Sequence, residues 1–227
     1  MAARFWDMDH TLCDNDCDVS WKQFLIATGR VPAATQELVD RFYRDYEQNR
    51  LDPEAFLAFQ LAEFVGQTPA AMQALAREHF ATVVRPLLYD QAVRLVRQQL
   101  DAGDFVCLLT ATNAVIAAPL AAHLGFRSLL ATELELRNGK YTGRRAGIYV
   151  CGEGKLARLA AYCAERQIAL ADVHYYGDSL SDQYVLGRIG HPTAVNPMPE
   201  LRALATAKGW PILDFPRHPR QPPASPR

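Results

Sequence analysis

Phe5-Trp6-Asp7-Met8-Asp9-His10-Thr11-Leu12 decides how this chain is read: a short apolar run ends in two acids one residue apart and closes on Thr-Leu. Side chains alternate across a strand, but a chain leaving a strand can turn the second acid aside, so Asp7 and Asp9 can flank one reactive centre. Buried carboxylates are costly unless they are paired or bind a metal. A strand end with solvated acids would account for this stretch taken alone. At the far end of the chain, however, His174-Tyr175-Tyr176-Gly177-Asp178-Ser179-Leu180-Ser181-Asp182 again runs from an apolar segment into paired acids. Two such sites in one chain indicate a divalent-cation cluster.

Between the two acid pairs the pattern changes once. From the acidic turn Cys13-Asp14-Asn15-Asp16-Cys17-Asp18 to about Arg85 the chain reads as helices only. Four apolar stripes define them: Trp21, Phe24, Leu25 and Ile26; Leu38, Phe42, Tyr43 and Tyr46; Phe56, Leu57, Phe59, Leu61 and Phe64; Met72, Leu75, Phe80 and Val83. Breaks fall at Gly29, at Leu51-Asp52-Pro53 and at Gly66-Gln67-Thr68-Pro69, where Thr68 is a natural N-cap and Pro69 a natural first helical residue. From Tyr89 helix and strand alternate. Helices are expected over 91–100, 113–124, 155–166, 181–189 and 200–208. Strands are expected over 105–109, 128–135, 173–176, 193–195 and 211–215, with a hairpin turn at Arg137-Asn138-Gly139-Lys140. This alternation implies an α/β fold with a parallel sheet and helices on both faces, whose sites lie at the carboxyl ends of strands. Both acid pairs fall there.

The chain has 227 residues, enough for one core with an insertion. Its 49% apolar and 22% charged residues are those of a soluble globular protein, and a formal net charge of −1 argues against nucleic acid as a partner. Cys13, Cys17, Cys107, Cys151 and Cys163 lack zinc-ribbon spacing and read as reduced thiols. No apolar run has the length of a membrane span, and Met1 leads almost directly into the first strand, leaving no room for a signal peptide. A cytoplasmic enzyme, monomeric or a small homo-oligomer, is the expectation. The proline-rich tail, 217–227, is expected to be disordered.

Two further strand ends carry chemistry. Leu108-Leu109-Thr110-Ala111-Thr112-Asn113 places hydroxyls and an amide before a helix, where free N–H groups can hold phosphate oxygens, although for this segment alone simple capping by Thr112 or Asn113 is the better reading. Gly152-Glu153-Gly154-Lys155 places a lysine at the start of another helix. The order acid pair, Thr, Lys, acid pair resembles the four motifs of the haloacid dehalogenase-like phosphatase superfamily. The resemblance covers about Met1 to Asp14 and Pro86 to Phe215. The helical insertion is similar to the cap of its phosphoserine-phosphatase-like branch (subfamily IB). Ala131-Thr132-Glu133-Leu134-Glu135, Tyr141-Thr142-Gly143-Arg144 and Ala194-Val195-Asn196-Pro197 resemble its histidinol-phosphatase-like group. His10 stands where Gly is commonest, Trp6 where Phe is, and Thr-Ala-Thr-Asn replaces a Ser-Gly-Gly segment, which departs from the phosphoserine pattern.

The resemblance implies a Rossmann-like three-layer sandwich with a helical C1-type cap: core 1–14 and 86–216, cap 15–85. It implies an Mg2+-dependent phosphomonoesterase acting on a small phosphorylated metabolite. Asp7 would be the nucleophile forming an aspartyl-phosphate and Asp9 the acid and base. Thr110, Thr112 and Lys155 would hold phosphoryl oxygens. Asp7, the Asp9 carbonyl and Asp178 would hold the metal, with Asp182 bound through water or orienting a ligand. Asp16 and Asp18, at the mouth of the cap, would suit a cationic substrate such as histidinol phosphate, unless they form a solvated turn. Trp21, Tyr43 and Tyr46 could stack on an imidazole, and Arg41, Arg44 and Arg85 could reach phosphate. A phosphoserine or amino-alcohol phosphatase, a phosphotransferase of the same fold and a non-catalytic binding module remain the alternatives.

Overall fold

The computed structural model describes residues 2–48 and 50–216, without the side chains of Tyr46 and Glu47. The tail from 217 and the expected stacking of Tyr46 therefore lie outside the described residues. Strand β1, Ala3–Trp6, runs through the middle of a seven-stranded sheet. It pairs in parallel with β2, Phe105–Asn113, on one side and with β5, Val173–Gly177, on the other. Beyond β2 come β3, Ser128–Arg137, and β4, Lys140–Ala146; beyond β5 come β6, His191–Val195, and β7, Ile212–Leu213. The sheet is parallel except for the β3–β4 pair. The chain thus fills one side of β1 and then the other, which opens a crevice at the carboxyl ends of β1, β2 and β5. Trp6 is in register with Leu108 and Tyr176, so Asp7, Thr110 and Asp178 emerge together.

Alternation along β1 assigns the layers. Trp6 packs into a core shared with helices α5 (Asp90–Asp101) and α6 (Ala114–Leu124). Phe5 points the other way, into a core with α7 (Glu153–Glu165), α8 (Gln183–Leu186) and α9 (Pro199–Lys208). The Trp6 ring stacks on Tyr176 at 3.9 Å, and its indole N–H donates to Gln99 at 2.9 Å.

The four expected helical stripes become α1 (Cys17–Ala27), α2 (Thr35–Glu47), α3 (Pro53–Gln60) and α4 (Pro69–His79), followed by irregular helical turns to Leu87. Both X-Pro starts act as caps: Asp52 accepts from the Glu54 and Ala55 N–H groups, and Thr68 from that of Ala71. At the hairpin, Asn138 and Gly139 have φ of +52° and +72°, the backbone that a two-residue turn of this type needs. The outer edge of β4 does not stay open. Tyr141 exchanges backbone hydrogen bonds with Gly66 and Gln67, both 2.9 Å, which ties the hairpin to the helical segment.

Three expectations need correction. Strand β2 continues to Asn113 because Asn113 pairs with Thr132 on β3, so Thr110 and Thr112 lie on the strand and Asn113 alone caps α6. The helix expected over 181–189 shrinks to Gln183–Leu186, after a tight turn in which Ser179 and Asp182 cap each other. The last strand keeps only Ile212 and Leu213. No helix among the described residues is long and apolar enough to cross a membrane.

Candidate active site

The end of β1 is turned by short-range bonds. The Asp7 N–H still reaches the Tyr176 carbonyl at 2.8 Å, as if the strand continued. The chain then folds back, with Leu12 N–H on the Met8 carbonyl at 2.8 Å and Thr11 N–H on the Asp9 carbonyl at 2.6 Å. His10 sits at φ +52°, a left-handed position that glycine occupies most cheaply and histidine tolerates. Met8 is buried, so the two acids on either side of it are turned into one cavity of about 330 Å³. Asp9 is held from two sides: the Cys17 N–H donates to Oδ1 at 2.8 Å and the Thr112 hydroxyl to Oδ2 at 2.7 Å.

Lys155, 2% exposed, joins both acid pairs. Its ammonium donates to Asp7 at 2.8 Å, Asp182 at 2.7 Å and the Tyr175 hydroxyl at 3.1 Å, which uses all three of its N–H bonds. Asp182 is saturated as well. One oxygen takes Lys155 and Tyr175, the other the Asp178 and Ser179 N–H groups and the Ser179 hydroxyl. Carboxylate oxygens of Asp7, Asp178 and Asp182 lie within 4.8 Å of one another.

Electrostatics separates the three acids. Burial pushes Asp7 up to about 7, with Lys155 opposing and Asp182 adding to the rise. Burial and then the Asp182 charge push Asp178 well above the usual carboxylate range. Burial alone would raise Asp182 too, but Lys155 and the donors around it hold it below that range. Lys155 itself is held well above its usual value, because Asp182 and Asp7 outweigh its burial. A cluster whose Asp7 and Asp178 resist ionisation, made only of hard oxygen donors, fits a divalent cation.

The helical segment walls the cavity with Val39, Phe42 and Tyr43 of α2, and Phe56, Phe59 and Gln60 of α3. Asp16 and Asp18 enter from the start of α1. Asp16 also caps that helix, accepting from the Val19 N–H at 2.9 Å. Recessed beneath the helices, Asp16 is pushed up to about 6 by burial and the nearby Asp9, and Asp18 well up by burial and then Asp16.

The structure therefore brings Asp7, Asp9, Asp16, Asp18, Thr110, Thr112, Lys155 and Asp178 to one cavity, with Asp182 directly beneath it. Thr110 lines the cavity and accepts from the Thr112 N–H at 3.2 Å. The Thr112 hydroxyl, expected at phosphate, is spent on Asp9. Trp21 is not in the wall: it is fully buried against Phe24, Phe64 and His79. Arg41, Arg44 and Arg85 do not line the cavity. Sequence reasoning missed Tyr175, Thr11 and Gln60, and Tyr149, which lines the cavity. Thr11 donates to Asp178 at 3.1 Å. Gln60 is buried, yet its amide oxygen has no protein donor among the described residues. A polar residue closing the apolar stripe of α3 was the available signal for it.

A family model described as haloacid dehalogenase-like hydrolase matches residues 5–187. The chain belongs to the haloacid dehalogenase-like hydrolases. A histidinol-phosphatase of Neisseria meningitidis serogroup C (strain 8013) is 36% identical to this hydrolase over 215 residues, 92% of this chain and 97% of that one. Phosphoserine phosphatase SerB1 of Mycobacterium tuberculosis (strain ATCC 25618 / H37Rv) is 32% identical over 218 residues, 94% of this chain and 71% of that one. A crystal structure of a protein of unknown function from Bordetella pertussis Tohama I has a TM-score of 0.87 at 38% identity, over 94% of this chain and 99% of that one. A phosphoserine phosphatase captured as a phospho-aspartyl intermediate analogue shares the fold, with a TM-score of 0.69 at 17% identity over 95% and 94% of the two chains. The hydrolase is an enzyme of the phosphatase class.

Proposed function

We propose that this phosphatase hydrolyses the phosphate ester of a cationic amino alcohol, with histidinol phosphate as the specific candidate, through a phosphorylated Asp7. The cavity lining carries the reading. Beyond the floor it offers two acids, aromatic rings and the Gln60 oxygen, which has no donor among the described residues; among those residues the lining has no arginine, and its one lysine already pairs with Asp7 and Asp182. An ammonium or an imidazole N–H finds acceptors there, and a flat ring finds Phe42, Phe56 and Phe59. The carboxylate of phosphoserine would meet Asp16 and Asp18 with no arginine among the described lining residues to offset them. Likeness to a histidinol-phosphatase over nearly the whole chain supports the same choice.

In this reading an Asp7 oxygen attacks phosphorus while the ester P–O bond breaks, and Asp9 gives its proton to the leaving alkoxide. Asp9, oriented by Thr112 and the Cys17 N–H, then takes a proton from the water that attacks the aspartyl-phosphate. Thr110 holds a phosphoryl oxygen, and Lys155 holds another with the N–H that it gives to Asp7 until the substrate arrives. Asp7, Asp178 and the Asp9 carbonyl would hold Mg2+, which when bound neutralises the negative charge of the attacking carboxylate and the phosphate. Asp182, with both oxygens already engaged, positions Lys155 and the Asp178–Ser179 backbone. Residues 15–85 act as a cap over the core of 1–14 and 86–216, in a cytoplasmic enzyme that is a monomer or small homo-oligomer. Phosphate release from a panel of phosphorylated metabolites tests the substrate. Histidinol phosphate should exceed phosphoserine in kcat/KM by about a hundredfold, the scale of a like-charge mismatch. Preference for phosphoserine would overturn the assignment.

A further inference from the structure

Behind the Asp9 carboxylate lie two thiols that the phosphoryl chemistry leaves unused. An Asp9 oxygen and the sulfurs of Cys13 and Cys17 all lie within 4.8 Å of one another. Both thiols are free and fully buried. The backbone brings them there: Asp9 and Cys13 form an isolated bridge, and the Cys17 N–H donates to Asp9. Their present partners are weak. The Cys13 sulfur lies 3.7 Å from the carbonyls of Met8 and Asn15, and the Cys17 sulfur accepts from the Asn15 amide at 3.3 Å. Tetrahedral zinc with thiolates at about 2.3 Å has ligand–ligand edges of about 3.8 Å, so closure by no more than about 1 Å completes the three-ligand face. Ionised, the three groups repel one another, and one divalent cation removes that repulsion as the two thiol protons pass to solvent. Sulfur donors select soft ions over magnesium, which separates this group from the all-oxygen cluster of Asp7 and Asp178.

We propose that Asp9, Cys13 and Cys17 form a thiophilic site for zinc or a zinc-like ion, and that its occupation switches the phosphatase off by drawing Asp9 away from Thr112 and the leaving group. Only the inhibition rests on the role given to Asp9 above; metal binding does not. The probes are cobalt and zinc, added to magnesium-supplied wild type, Cys13→Ala, Cys17→Ala and the double variant. Cobalt should give thiolate-to-metal charge-transfer absorption in the wild type. Each single variant should bind at least about 10–100-fold more weakly, and the double variant should lose the absorption. Zinc should inhibit the wild type in a way excess magnesium does not relieve, and should spare the double variant. In the wild type alone, zinc should slow the alkylation of these buried thiols that transient opening in mild denaturant allows, a readout that does not depend on any variant's folding. Neither absorption nor protection in the wild type overturns the site. Zinc inhibition that magnesium relieves, or that persists in the double variant, overturns the switch and assigns the effect to the oxygen cluster. An enzyme inactive on every ester tried would leave the cobalt and alkylation readouts intact.

Discussion

The floor and the wall of the cavity are built on opposite principles. On the floor, Lys155 has spent all three N–H bonds and Asp182 both oxygens, so the charges are paired and their positions over-determined. The wall is aromatic, with two acids raised by burial and an amide oxygen left without a donor. A saturated network fixes its own charges, and can receive a phosphoryl group only by exchanging the Lys155–Asp7 bond, so it has nothing left with which to discriminate between leaving groups. Unsatisfied groups in a closed cavity do discriminate, since a ligand that leaves them unpaired incurs their desolvation cost. Chemistry and selectivity should therefore fail separately under mutation.

Breaking the floor should have the largest effect on the fold. Lys155→Met leaves Asp7 and Asp182 buried without a cation, which costs about 3–5 kcal/mol by analogy with other broken buried pairs. Denaturant unfolding in chelator measures it, and a loss below about 1 kcal/mol would mean the ion pairs do not hold the floor. Behind the wall, His79 tests burial without catalysis. Its ring packs against Trp21 and Phe24, bonds Ser20 at 3.0 Å, and burial pushes its pKa from 6.5 down to about 4. Above pH 6.5 neither state is charged there. As pH falls from 6.5 to 4 the unfolded chain binds a proton that the folded chain refuses, so stability drops by about 3 kcal/mol in all. His79→Phe should flatten that acid limb of the unfolding free energy; an unchanged limb would place its cause elsewhere.

Within the wall, Asp16→Asn or Asp18→Asn should lower kcat/KM for histidinol phosphate by about one to two powers of ten, and hydrolysis of a neutral aryl phosphate hardly at all. Equal losses on both substrates would erase the division between wall and floor. The smallest effect is expected at Gln60. Gln60→Met should gain about 1 kcal/mol of stability by removing an unpaired buried oxygen, and lose about tenfold in kcat/KM on the cationic substrate. Paired assays of unfolding and turnover read both signs.

The floor was legible in the sequence because strand register does the assembly. Once β1, β2 and β5 are parallel neighbours, the residues after Trp6, Leu108 and Tyr176 must meet. Local chemistry also showed through at Asp52-Pro53, Thr68-Pro69 and Asn138-Gly139, where caps and turn backbone depend only on adjacent residues. The wall was not legible to the same degree. Whether Trp21 or Phe42 faces the substrate depends on how each helix is rotated about its axis, and an apolar stripe does not say which neighbour it meets. Tyr175 reaches Lys155 through packing across 20 residues of sequence, with no spacing to announce it. Thr112 was expected at phosphate because its bond to Asp9 spans 103 residues. Strand β2 outran its apolar core because pairing with β3 carried the polar Thr-Ala-Thr-Asn along.

The most direct test of the account is to trap the phosphoenzyme. Enzyme mixed with substrate labelled in its phosphate, quenched in acid during the first turnover and digested, should carry label on the peptide containing Asp7, and Asp7→Asn should carry none while remaining folded. Label on any other residue, or a labelled Asp7→Asn protein, would contradict it.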